Sequence, residues 1–269
     1  MTLLSFVAGL LATAAISTVH AQTWTKCQPL NVTCPPDPAL GTTHTWNFSM
    51  NSYLDSTWNI TNGAVSYTNN AMEFSIQKPM DSPTIQSNFY LFFGRIEYHV
   101  QSAPGQGVIS SVVLQSDDLD EIDWEWVGKY PTQVQSNYFG KGVTQNGTGM
   151  THNLTVDAST GYHNYTTWWD QNMLQWWVDG QLLRTLTYDE ATGGAFYPQT
   201  PMTIRIGIWP GGDPSQPIGR IQWAGGEIDY NTGPYNMYIS QLTAQDFGSG
   251  KEYVYGDHSG AWQSINEVA

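Results

Sequence analysis

Basic residues are scarce: nine Lys and Arg stand against twenty-three Asp and Glu, a formal charge of −14 over 269 residues. Nucleic-acid backbones and anionic lipid surfaces are bound through clusters of Lys and Arg that release counterions. The imbalance therefore argues against nucleic acid as a partner. Charge of either sign is thin, 12% of residues, while aromatics reach 13% with twelve Trp and fifteen Tyr. That balance suits a neutral polymer such as polysaccharide, held by stacking and hydrogen bonds, and it equally suits an aromatic-rich core. Cysteine is limited to Cys27 and Cys34, and the six His are dispersed. Neither supplies a zinc-ligand set, so no metal and no cofactor is expected. There is no G-x-S-x-G motif to support a serine nucleophile.

Long apolar runs are also missing, apart from Leu3 to Ile16, which is followed by Val19-His20-Ala21. That run is too short to span a bilayer, and its small or β-branched residues before the break fit a cleavage site. Residues 1–21 are read as a signal peptide and residues 22–269 as a single secreted domain, with no transmembrane segment expected. In an oxidising compartment two thiols seven residues apart most simply form one bridge, Cys27–Cys34. Six sequons, at Asn31, Asn47, Asn59, Asn146, Asn153 and Asn164, agree with that route.

Internal repeats, linkers and long amphipathic helices are absent, and twenty-six Gly and fourteen Pro punctuate short apolar runs. From Arg95 to Gln101, Ile96, Tyr98 and Val100 alternate with Arg95, Glu97, His99 and Gln101, as a half-buried strand requires. Asp179-Gly180 sits between Trp176-Trp177-Val178 and Leu182-Leu183-Arg184, a hairpin signal because the turn needs positive φ. The expected fold is all-β, an antiparallel β-sandwich of the jelly-roll kind with a concave cleft, and a barrel is the alternative.

Six acids crowd into nine residues: Asp117, Asp118, Asp120, Glu121, Asp123 and Glu125. A strand from Glu121 to Trp126 puts Glu121, Asp123 and Glu125 on one face and Ile122, Trp124 and Trp126 on the other. Like charges in register destabilise a sheet, so a purely structural protein gains nothing from them. Calcium is one competing reading, but the calcium-loop pattern fails because Asp123 replaces Gly at the sixth position from Asp118. A solvated sheet edge is the other. Paired carboxylates suit glycoside cleavage, one attacking while its protonated partner donates to the leaving oxygen. Repulsion raises the pKa of one member, which assigns Glu125 as acid and Glu121 as nucleophile, with Asp123 tuning between them. Four strand residues span roughly 13 Å, so the Glu side chains must lean towards each other to reach the separation of about 5 Å that a retaining pair needs.

Glu121-Ile122-Asp123-Trp124-Glu125 resembles the E-I/L-D-x-E signature of glycoside hydrolase family 16. The segments Ser116-Asp117-Asp118-Leu119-Asp120, Gln135 to Gly142, Trp223-Ala224-Gly225-Gly226, Gln22 to Cys27 and Cys34-Pro35-Pro36 are similar to the fungal Crh-type cell-wall transglycosylases. The resemblance covers nearly all of residues 22–265. It implies a jelly roll, a retaining mechanism, chitin as donor, β-glucan or chitin as acceptor, and a place in the cell wall. No Ser/Thr-rich tail, anchor signal or Cys-rich module follows residue 265, so membrane anchoring is not expected from this chain, and a monomer is.

On Met202 to Trp209, alternation places Thr203, Arg205, Gly207 and Trp209 on one face. Gly leaves room for a sugar, Trp209 offers a ring and Arg205 offers donors; a Trp covered by the following loop is the bland reading. The resemblance assigns substrate contacts to Arg205, Trp209 and Arg220. It also places Gln135 and Asn137 in the cleft, as the Q-x-N of the family's plant transglycosylases, and relates His163, Tyr165 and Trp169 to the family's H-x-Y-x-x-x-W strand, whose side chains serve either as substrate contacts or as core. Trp223 is the candidate acceptor platform. Two other functions compete: a β-glucanase or chitinase that mainly hydrolyses, and a lectin-like sandwich that binds glycan without cleaving it.

Overall fold

The computed structural model describes residues 24–48 and 54–269, so the expected signal peptide lies outside the described residues. Among these, the strands build two large antiparallel sheets packed face to face, with a small three-stranded sheet at one end. One large sheet has the order Met150–Asn153, Gln133–Phe139, Glu121–Val127, Val108–Ser116, Met202–Pro210, Thr84–Ser87 and Trp58–Asn62. The other is centred on Gly94–Gln101, flanked by His163–Trp169 and Tyr235–Asp246. This is the expected jelly-roll sandwich, and alternation explains it. Ile96, Tyr98 and Val100 are fully buried while their neighbours are half-exposed. The Asp179-Gly180 turn has φ of 47° and 80°, the two positive values a two-residue hairpin loop demands. Cys27 and Cys34 are bonded to each other.

The core between the sheets is aromatic. Trp124 and Trp126 point into it from the acidic strand and meet Tyr165 edge-on at 5.5 and 4.6 Å between ring centroids. The Trp124 indole donates to Thr167 Oγ1 at 3.0 Å and the Trp176 indole to the Asp123 carbonyl oxygen at 3.2 Å, which ties the two sheets at the acidic strand. Each such ring removes about 200 Å² from water, worth roughly 5 kcal/mol before the entropy of ordering is subtracted. Two candidate substrate contacts are thereby corrected. Tyr165 and Trp169 are fully buried residues of the opposite sheet. Tyr165 packs on Trp124 and Trp126, and Trp169 packs on Phe93 and donates to the Pro198 carbonyl oxygen at 2.8 Å. Both belong to the core side of the His163–Trp169 strand, so no sugar reaches them.

The acidic strand is entered through a tight turn, in which the Ser116 N–H donates to the Asp120 carbonyl oxygen at 3.0 Å and Leu119 adopts a φ of 69°. Asp118 and Asp120 hold this turn. Asp120 accepts from the Gln199 N–H at 2.8 Å, the Thr200 hydroxyl at 2.9 Å and Lys141 Nζ at 2.7 Å. Asp118 accepts from the Ser116 and Thr200 hydroxyls at 2.6 and 2.7 Å, with Lys141 Nζ 2.9 Å from its other oxygen as an ion pair. Both Asp side chains are fully buried. Removing one partner from such a cluster strands buried charge. Lys141→Met is expected to lower unfolding stability by about 3–5 kcal/mol, read from denaturant midpoints, whereas loss within experimental error would remove the clasp from the account of the fold.

Candidate active site

Outward from the core, one face of the seven-stranded sheet lines a cleft of about 590 Å³. Its floor is laid out in rows by strand register. Glu121 lies between Gln115 and Phe139, Asp123 between Val113 and Asn137, and Glu125 between Ser111 and Gln135. The next strand adds Thr203 beside Gln115, Arg205 beside Val113 and Gly207 beside Ser111. The three acids thus share one face because their strand has period two, and the buried Trp residues between them fix which face it is.

Burial governs their charge. Glu121 is pushed up to about 7 by burial and drawn back by hydrogen bonds from Asp123 and Gln115 and by the Arg205 guanidinium. Asp123 is raised far above the carboxylate range by burial, by the charges of Glu121 and Glu125 and by its hydrogen bond to Glu121. Burial and the neighbouring charges thus favour its protonated form, in which it donates towards Glu121. Glu125 is pushed up to about 7 by burial and by the Glu121 charge, with Arg220 acting the other way. Of the two Glu, Glu121 is the one whose hydrogen-bond donors favour the charged form, and its charge adds to burial in favouring the proton on Glu125. One carboxylate and one carboxylic acid facing a single cleft is the arrangement that glycoside cleavage needs.

The remaining candidates surround this set. Arg205 lines the cleft and its buried Nε has no acceptor among the described residues. Trp209 ends the cleft face of its strand and stacks on Trp223 at 5.8 Å and 21°, with the Arg220 guanidinium 5.9 Å from the Trp209 ring centre. Trp223 belongs to the short helix Ile218–Trp223, and its indole donates to Gln135 Oε1 at 2.9 Å. Trp223 therefore bridges from Trp209 to Gln135, across the end of the acidic strand. Ile109, Val127 and Ala224 pack under the two rings as a small apolar cluster separate from the main core. Asn137 also faces the cleft. Gln115, Thr84, Phe139, Met150 and Gln216 line it as well and were not among the candidates. Only register could have found Gln115, since nothing local distinguishes it from any other polar residue on a half-buried strand.

The sequence profile of glycosyl hydrolases family 16 matches residues 52–225. The Crh-like protein 3 of Aspergillus fumigatus is 54% identical over all of this chain and 74% of its own length. The chain belongs to glycosyl hydrolases family 16. This is a family of retaining glycosidases and transglycosylases, and the curated relatives of the chain within it include Crh-like proteins at 40–54% identity. The chain spans 55–74% of the length of such relatives. Among solved structures, a Crh5 transglycosylase in complex with NAG superposes with a TM-score of 0.87 at 45% identity, covering 90% of this chain and all of that one. A Bacillus licheniformis β-glucanase superposes at 0.66 and 27% identity over 77% of this chain and all of that one.

If Glu121 acts ionised and Glu125 acts as the proton donor, kcat/KM falls on the alkaline side as Glu125 loses its proton. Arg220 stabilises the ionised form of Glu125. In Arg220→Gln that limb is expected to move to higher pH, seen in initial rates between about pH 4 and 9; a limb that stays in place would take Glu125 out of the acid role.

Proposed function

We propose that the chain is a retaining cell-wall transglycosylase that cleaves β-1,4 linkages of chitin and transfers the released chain to β-glucan or chitin acceptors. Glu121 attacks the anomeric carbon while Glu125 protonates the departing oxygen, which leaves a glycosyl ester on Glu121. Glu125, now ionised, takes a proton from an acceptor hydroxyl, whose oxygen displaces Glu121. Asp123 tunes the nucleophile by sharing its proton. Secretion is supported by the Cys27–Cys34 bond, which forms and persists in an oxidising compartment. Donor identity is supported by the NAG complex of the Crh5 transglycosylase, a protein similar over 90% of this chain.

The observation that carries the reading is the wall built by Trp209, Trp223 and Gln135 beside Glu125. Water competes for the glycosyl ester at about 55 M, so an acceptor wins only when held in near-attack geometry, where effective molarities reach about 10⁵ M or more. A ring already stacked on a second Trp and fastened through its N–H loses little freedom when a sugar packs on it. A cleft without such a wall would favour hydrolysis, the alternative outcome for the same ester.

Glu121→Gln and Glu125→Gln are each expected to reduce turnover by about 10²–10⁴-fold or more with melting and sugar binding unchanged. Asp123→Asn should cost less. Substantial activity in either Glu variant would move the chemistry elsewhere. Transfer itself is tested with a chito-oligosaccharide donor and a fluorescent laminari-oligosaccharide acceptor, following labelled hybrid products and new reducing ends together. Hybrids are expected to dominate at millimolar acceptor, and Trp223→Ala should lower transfer much more than donor cleavage. Dominant reducing ends, with a ratio indifferent to Trp223→Ala, would leave simple hydrolysis as the function.

A further inference from the structure

Gln115 stands directly opposite Glu121 on the neighbouring strand and donates from Nε2 to Glu121 Oε2 at 2.9 Å. Its side chain is buried, 2% exposed. Its own carbonyl oxygen, Oε1, is buried without a donor among the described residues. An orphaned buried carbonyl is a cost that an apolar side chain of the same size would avoid, so packing alone does not account for a glutamine here. The corresponding positions one and two rows further along the strand are different. Val113 opposite Asp123 has no donor, and the Ser111 hydroxyl opposite Glu125 donates to the Gly207 carbonyl oxygen at 3.3 Å. The strand next to the acids thus offers its one amide donor to Glu121 alone.

We infer that Gln115 is the positioning residue of the nucleophile. The inference rests on the proposed role of Glu121. By occupying Oε2, the amide fixes the rotation of the carboxylate and leaves the other oxygen to attack. It also stabilises the ionised form. Unlike the proton shared with Asp123, the amide does not titrate, so this support persists across the whole working pH range. Being neutral, it does so without the full positive charge that would hold the carboxylate back from the anomeric carbon. In the covalent step, an Oε1 lone pair of Glu121 forms the bond to the anomeric carbon as the glycosidic C–O bond breaks. That bond's electron pair leaves with the glycosidic oxygen, which takes the proton of Glu125. In the second step an acceptor hydroxyl gives its proton to Glu125 and its oxygen bonds to the anomeric carbon as the ester C–O pair returns to Glu121, and Gln115 again donates to the carboxylate that leaves.

The test uses two variants of the full chain and an epoxyalkyl β-chitobioside, which alkylates an ionised carboxylate in the cleft. Peptide mapping of the labelled wild-type protein is expected to place the label on Glu121. Label on another carboxylate would overturn the nucleophile assignment and this inference with it. Gln115→Met keeps the volume and removes the donor. It is expected to shift the acid limb of both labelling rate and kcat/KM upward by about one pH unit and to lower kcat about tenfold, with KM within about twofold. Gln115→Glu provides a donor only while the substituted carboxyl is protonated. Its activity should approach wild type at acid pH and collapse as the pH rises. With the wild-type label on Glu121, an unmoved acid limb in Gln115→Met, or a Gln115→Glu profile parallel to wild type, would show that Gln115 merely fills space and would leave the transglycosylase reading standing.

Discussion

Burial of Trp124 and Trp126 against the opposite sheet decides what the other face of their strand can be. A strand has only two faces, and a shift of one residue would exchange them. With both indoles in the aromatic core, Glu121, Asp123 and Glu125 have no choice but to face the cleft together. The cross-sheet bonds from Trp124 to Thr167 and from Trp176 to the Asp123 carbonyl oxygen lock that choice at the strand that matters. Three acids in register would loosen an ordinary sheet. Here the cost is offset by the packing behind them and by burial that favours the protonated form of Asp123 and Glu125.

The same run of acids performs two different tasks. Asp118 and Asp120 are turned away from the cleft into a clasp with Lys141, Thr200 and Gln199, so the chain enters the strand from a fixed point. Glu121 follows at once. The left-handed Leu119 within the turn is held by this clasp and not by any preference of its own. Chemistry and anchorage therefore sit within a few residues of each other, and the distinction between them is set by which way each side chain leaves the backbone.

That distinction explains how far the sequence could be read. The acidic strand was legible because its pattern is local, with period two visible within six residues. The hairpin at Asp179-Gly180 was legible for the same reason, since the turn dictates its own residues. Arg205, Trp209 and Gly207 followed from alternation on a second strand. Tyr165 and Trp169 were matched by resemblance to a strand motif, which left open whether they meet substrate or core. Position in the opposite sheet settles it. Gln115 was invisible because its meaning comes from a partner six residues away across a turn whose register no local signal gives. Lys141 likewise acquires its role only when the chain brings it back to Asp118 and Asp120.

The wall of the cleft stands on its own footing. Trp209 and Trp223 pack with Ile109, Val127 and Ala224 in a cluster apart from the main core, and the helix carrying Trp223 lies outside both sheets. Ile109, Val127 and Trp209 are themselves sheet residues, so the outlying part of the wall is the helix with Trp223 and the Ala224 that follows it. A substitution on the outer side of that helix therefore reaches the sugars proposed to bind beside Glu125 without passing through the aromatic core between the sheets.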